Sequence, residues 1–207
     1  MHNLPFDTIA LSADEVDALD SIYKTLHEKF EIGLNCELDL PVNKFDVWCC
    51  NTGSSVGGVL AVNHPVNECY LAFIKVHYFY HSIKGGMDTD YYKYKVWGLV
   101  KLKKDAGRIL IRRETFTDRV LGLVHPVELE FKDDKPFSHK FYVVTNDEDK
   151  AIATLNWNLR NLIMQIDNEN IIIETADNLL IVGNDNWLDT DEVVSIAETA
   201  YKIASLR

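Results

Sequence analysis

No apolar run in the chain approaches the ~18 residues a membrane-crossing helix needs. The opening Met1-His2-Asn3-Leu4-Pro5 has neither the basic start nor the apolar core of a secretory signal. The expected setting is therefore cytoplasmic, without membrane insertion. Cysteine is scarce: Cys36, Cys49, Cys50 and Cys69 show no C-x-x-C spacing, which fits buried thiols in a reducing compartment rather than a zinc site or disulfide scaffold. Positive charge is short as well. With 21 Lys and Arg against 32 Asp and Glu, the net charge of −11 has the wrong sign for duplex nucleic acid or an anionic membrane. No repeat, low-complexity tract or linker interrupts the 207 residues. They read as one domain over 1–207, with a subdivision near 114 as the alternative.

The clearest patterning runs from Phe137 to Leu206. His139, Phe141 and Val143 alternate with Lys140, Tyr142 and Val144 as a strand would. After Thr145-Asn146-Asp147, the residues Ile152, Leu155, Leu159, Leu162 and Ile166 recur at spacings of three and four, predicting one amphipathic helix over 147–166. Ile171-Ile172-Ile173, the turn residues Ala176-Asp177-Asn178 and Leu179-Leu180-Ile181-Val182 predict a hairpin with both faces covered. A closing helix opens at Asp189 or Thr190 and carries Val193, Ile196, Ala200 and Ile203 on one face.

Upstream, Ser12-Ala13-Asp14-Glu15 matches a capping box, followed by Val16, Leu19, Tyr23, Leu26 and Phe30 on one stripe. Leu34 to Leu40 alternates as a half-buried strand ended by Pro41, and Phe45 to Cys50 suits an antiparallel return. Gly-rich residues 51–58 read as a loop. Cys69 to His81 reads as a long strand covered on both sides, broken at Lys84-Gly85-Gly86. From Tyr91 to Lys103, Tyr92, Tyr94, Val96, Val100 and Leu102 share one face, and Lys93, Lys95, Trp97, Lys101 and Lys103 share the other. A short helix is expected within 114–123, and Val127, Leu129 and Phe131 alternate before a polar turn at 132–136. The fold class that follows is α+β: a mostly antiparallel sheet with three amphipathic helices packed on it.

Phe137, Phe141 and Val143, then Asp147 ahead of an apolar helix containing Ala151, then the 171–182 hairpin and a terminal helix, resemble a family of uncharacterised bacterial proteins known as a domain of unknown function. The resemblance spans roughly residues 108–206. It implies no reaction and no site, and because members often carry membrane spans it carries no localisation over.

Two constellations bear on chemistry. Gly53-Ser54-Ser55-Val56-Gly57 is a literal G-x-S-x-G, in which Ser55 would be the nucleophile of a serine hydrolase. His125 and His139 are the bases available downstream, with Asp118 or Asp147 to orient them. A nucleophile elbow must run from a strand into a helix, however, and glycines and valines follow this one. The second constellation is electrostatic. Residues 93–113 carry eight cations and the single acid Asp105, so that stretch is +7 and the remainder −18. Lys93, Lys95, Trp97, Lys101 and Lys103 form the candidate binding face, suited to an acidic protein, a phosphate or single-stranded nucleic acid. His77 and His81 are too far apart on a strand to share a metal. The sequence thus reads as a non-enzymatic binding or protein-interaction module, with no cofactor, no metal and another protein as partner. The Ser55 hydrolase and an acidic inhibitor of a basic protein are the alternatives.

Overall fold

Ser12 opens the first helix as its spacing predicts. Its Oγ accepts from the Glu15 amide at 3.3 Å and Glu15 Oε2 accepts from the Ser12 amide at 2.8 Å, so two otherwise orphaned donors at the start of α1 (Ala13–Lys29) are satisfied. Leu19, Ile22 and Leu26 face inward and are buried. Ser12→Ala is expected to lower the unfolding free energy by about 1 kcal/mol in urea denaturation. An unchanged midpoint would show the box to be idle.

The computed structural model describes residues 4–34, 40–49, 53–80, 89–113 and 127–206. Nine strands form one antiparallel sheet: β1 (Ile32–Leu34), β2 (Ser54–Val62), β3 (Cys69–Tyr80), β4 (Thr89–Lys101), β5 (Ile109–Arg113), β6 (Val127–Glu128), β7 (Phe141–Thr145), β8 (Ile172–Ala176) and β9 (Leu179–Gly183). Their order is β1-β2-β3-β4-β9-β8-β5-β7-β6. The β8–β9 hairpin is inserted between β4 and β5, with Trp97 opposite Gly183 on one side and Ile109 opposite Thr175 on the other. Four of its members therefore satisfy each other's backbone groups from distant parts of the chain.

The helices are α1, α2 (Asp46–Cys49), α3 (Lys135–Lys140), α4 (Glu148–Thr154), α5 (Trp157–Met164) and α6 (Thr190–Ala204). The α+β class is as expected, and among the described residues six α-helices stand where three were read. Part of the difference is a break in the 147–166 helix. Asn156 accepts from the Leu159 amide at 3.1 Å and so caps a second helix instead of continuing the first. Ala151 takes the inward position on α4, and Ile152, placed on the buried stripe by its spacing, is 48 % exposed. Leu155, Leu159 and Ile166 are buried as read.

Two more elements depart from expectation. Asp134 accepts from the Phe137 amide and Pro136 stands in the first turn, so residues 135–140 coil as α3 and the strand begins only at Phe141. Where a return strand was expected over 45–50, Asp46–Cys49 form the short helix α2, and Cys50 lies outside the described residues. Helical spacing lets Phe45 and Trp48, three apart, turn the same way, and both are buried. The strand read over 34–40 is seen only as far as Leu34, since 35–39, like the helix expected at 114–123, lie outside the described residues.

The sheet has a core on each face. Helices α1, α3, α4, α5 and α6 cover one face, where Leu19, Phe137, Leu155, Ile163 and Ala200 meet Leu71, Phe73, Val96 and Ile173. On the other, the strap of residues 40–49 presses Leu40, Phe45 and Trp48 onto Ile74, Trp97, Leu99 and Ile181. At the expected burial value of about 1.5–3 kcal/mol per large apolar side chain, neither layer can be removed without a cost comparable to net stability.

Candidate functional site

Ser55 does not sit on a turn. It lies within β2, opposite Lys75 of β3, and no helix follows it. The glycines around it have a packing cause. Asp7 donates its amide to the Gly57 carbonyl (2.8 Å) and accepts at its own carbonyl from the Tyr94 hydroxyl (2.7 Å), so a Cβ at Gly57 would collide with the Tyr94 hydroxyl. Burial, with the Asp7 charge nearby, pushes the Tyr94 phenol well above its ordinary range. His139 is on α3, beside β7. Six strand spacings separate β2 from β7, roughly 29 Å at about 4.8 Å each. Asp147 is committed to capping α4 through the Lys150 amide, and Asp118 and His125 lie outside the described residues. A histidine that shares this edge of the sheet is His77, whose ring stacks on Tyr92 at 4.7 Å.

The lysine row on β4 is dispersed by the strap and by the segment before α6. Trp97, read as part of a wetted face, is fully buried against Trp48, with ring centroids 6.0 Å apart. Lys95 is 7 % exposed and pairs with Asp185 at 2.8 Å. The Lys93 ammonium lies 4.1 Å from the Trp187 ring centre and 5.7 Å from that of Tyr91, which stacks on Tyr78. Lys101 pairs with Glu68 at 2.9 Å, which, together with the Tyr70 hydroxyl, holds the Glu68 carboxyl below its usual range. These cations are engaged within the protein.

Lys103 differs. It stands beyond the end of β4, on the ridge between two recesses. The smaller, about 470 Å³, lies over the β2–β3 turn and includes His64, Glu68 and Lys101. The larger, about 600 Å³, runs between the end of β4, the α4–α5 break and the last turn of α6. Its floor is apolar: Val100, Leu102, Leu159, Ile203 and Leu206. Its rim carries Lys103, Lys104 and Lys150 with Asp105 and Asp149. Asn67 donates to the carbonyls of Ala204 (2.6 Å) and Leu206 (3.3 Å), so the carbonyl end of α6 that borders the groove is already bonded.

Besides Lys95, sequence reasoning missed three buried charges: Lys75, which reaches Asp7 at 2.8 Å and donates to the Ile9 carbonyl, Arg160 and Glu174. Arg160, in α5, is 4 % exposed and reaches Asp133 at 2.7 Å and Asp134 at 3.2 Å, fastening α5 to the turn before α3. Glu174, in β8, is 2 % exposed; it accepts from the amides of Asp46 (2.8 Å) and Val47 (3.2 Å) and from Arg108 (3.0 Å), which also meets Asp46 at 2.9 Å. Burial pushes the Glu174 carboxyl up to about 7, against the pull of those two amides and Arg108. The only available hint was a glutamate inside the β-branched run 171–175. Burial likewise raises the Cys69 thiol to about 12, leaving it unreactive. Among the described residues no three His, Cys, Asp or Glu side chains converge to hold a metal, and no helix is long and apolar enough to cross a membrane.

No protein-family model matches the sequence, and no curated protein matches it. One solved structure does match: the crystal structure of the mycobacterial trehalose monomycolate transport factor A, at a TM-score of 0.58 and 10 % identity, over 93 % of this chain and 94 % of that one. At that identity the likeness is one of fold.

Proposed function

We propose that the protein is a non-enzymatic, cytoplasmic binding module that takes a small molecule with an apolar body into the groove between the end of β4, the α4–α5 break and the last turn of α6. The observation that carries this reading is the groove itself. Its volume of about 600 Å³ falls in the range of small-molecule sites, and it combines an apolar floor with a few polar groups at the rim. The separation of Ser55 from His139 supports binding over catalysis, and the buried free thiol of Cys69 supports a reducing compartment. A structure that shares this fold is described as a transport factor, which supports a carrier role for the proposed module.

Ala153 is exposed on α4 and lines the groove, so a larger side chain there fills the space without entering the core. The neutral fluorescent probe N-phenyl-naphthylamine is expected to bind the parent in the micromolar range, and Ala153→Trp to weaken that binding by about tenfold or more with an unchanged unfolding midpoint. Equal probe affinity in the two proteins would refute the groove as the site.

A further inference from the structure

We infer that the ligand of this groove is a single-chain amphiphile with a monoanionic head, a free long-chain carboxylate, whose head sits at Lys103 and Lys104. The inference rests on the binding reading above and adds the chemical class of the ligand. Size sets the body. At about 30 Å³ per water-sized volume, a space of about 600 Å³ accommodates about 20 non-hydrogen atoms, the scale of one alkyl chain rather than two. The floor offers Leu102, Leu159 and Ile203, and the lining amides Asn67 and Asn156 are already bonded to the Ala204 and Leu206 carbonyls and to the Leu159 amide, so the polar part of the ligand is placed at the end that meets the charged rim.

Charge sets the head. Lys150 is committed to Asp105 at 2.6 Å, an exposed pair in which the Lys150 bond holds the Asp105 carboxyl below its ordinary range. Lys103 and Lys104 are both exposed and form no ion pair with any described residue. Asp149, on the opposite wall, is the one acid left at the rim. Two open cations facing one open acid leave a single positive charge for the ligand to balance, in a chain whose net charge is −11. That favours a monoanion over a cation or a neutral alcohol. Lysines, being point charges without the guanidinium fork, suit a carboxylate with loose orientation. The α6 carbonyls that would repel an anion beside them are occupied by Asn67.

The test displaces bound N-phenyl-naphthylamine from the full chain with dodecanoate, dodecanol or dodecyltrimethylammonium, each below its micelle concentration and at one ionic strength. Dodecanoate is expected to displace at about tenfold lower concentration than the other two, and Lys103→Glu/Lys104→Glu to abolish or reverse that order while the unfolding midpoint is kept. Equal displacement by all three, or an order untouched by the double variant, overturns the inference and leaves the groove standing as an apolar site. A probe that fails to bind the parent brings down the binding reading and this one with it. Binding to phosphatidylserine vesicles without binding of free dodecanoate also overturns the inference, since it assigns the lysines to a membrane surface.

Discussion

A Trp97→Ala variant is expected to unfold about 4 kcal/mol more easily than the parent, enough to consume a large share of a domain's net stability. Trp97 is fully buried in the middle of β4, edge-on to Trp48, and its ring covers the backbone of Gly183, where an added Cβ would lie 2.6 Å from Trp97 Cε3. Truncation would leave a void between sheet and strap that neither rigid strand can close, so the transfer and cavity contributions add. Trp97→Phe separates shape from polarity. The indole Nε1 is buried with no hydrogen-bond partner, so phenylalanine removes an unsatisfied donor along with some volume, and the loss should fall below about 1.5 kcal/mol. Urea denaturation at one pH reads both variants. A Trp97→Ala loss of under about 0.5 kcal/mol, the value for a surface side chain, would mean that the strap does not cover β4.

Glu174→Gln is expected to flatten the pH dependence of stability. Burial pushes the carboxyl up to about 7 in the folded protein, from the ordinary glutamate value of 4.5 that it has when unfolded, so between those limits the unfolded chain has released a proton that the folded one retains. Stability therefore falls as pH rises from about 4.5 to 7, by about 3 kcal/mol at full ionisation, and is lowest above 7. Asp7 and Glu68, both held low by lysine hydrogen bonds, act in the opposite sense and only at acid pH, below the window in which Glu174 titrates. Unfolding free energies at pH 5 and pH 8 should differ by about 2–3 kcal/mol less in Glu174→Gln than in the parent. Equal slopes would show that the buried carboxyl is ionised throughout. The site also ties the strap to the sheet, because Glu174 and Arg108 both hold Asp46. Ionisation above pH 7 thus bears on the layer over Trp97, and tryptophan fluorescence should follow the same transition.

The strand and helix patterns were legible wherever one periodicity acted alone. The capping box at Ser12, the β8–β9 hairpin and the α6 stripe needed only local chemistry: a side-chain oxygen within reach of an amide, β-branched runs about a two-residue turn, and apolar residues every third or fourth position. Misreadings came where two local rules competed. At Asn156 capping prevailed over a stripe that continued through it, and at Pro136 a helix start prevailed over an alternation read from His139 onward. Of the candidate binding residues, Lys103 meets the groove and Trp97 belongs to the core. Period-two alternation places residues on a face but does not say what covers that face.

By itself the sequence determined an acidic α+β chain, the long strands β3 and β4 and the amphipathic helices that shield one side of them, because each depends on spacing within a dozen residues. Only the tertiary structure decided that β8 and β9 enter between β4 and β5, that the strap closes the second face over Trp97, and that Lys103 borders a groove with Leu159 and Ile203. Strand order and groove walls arise from backbone donors and side chains separated by tens of residues. Which of many equivalent partners such groups meet is settled by packing the whole chain at once.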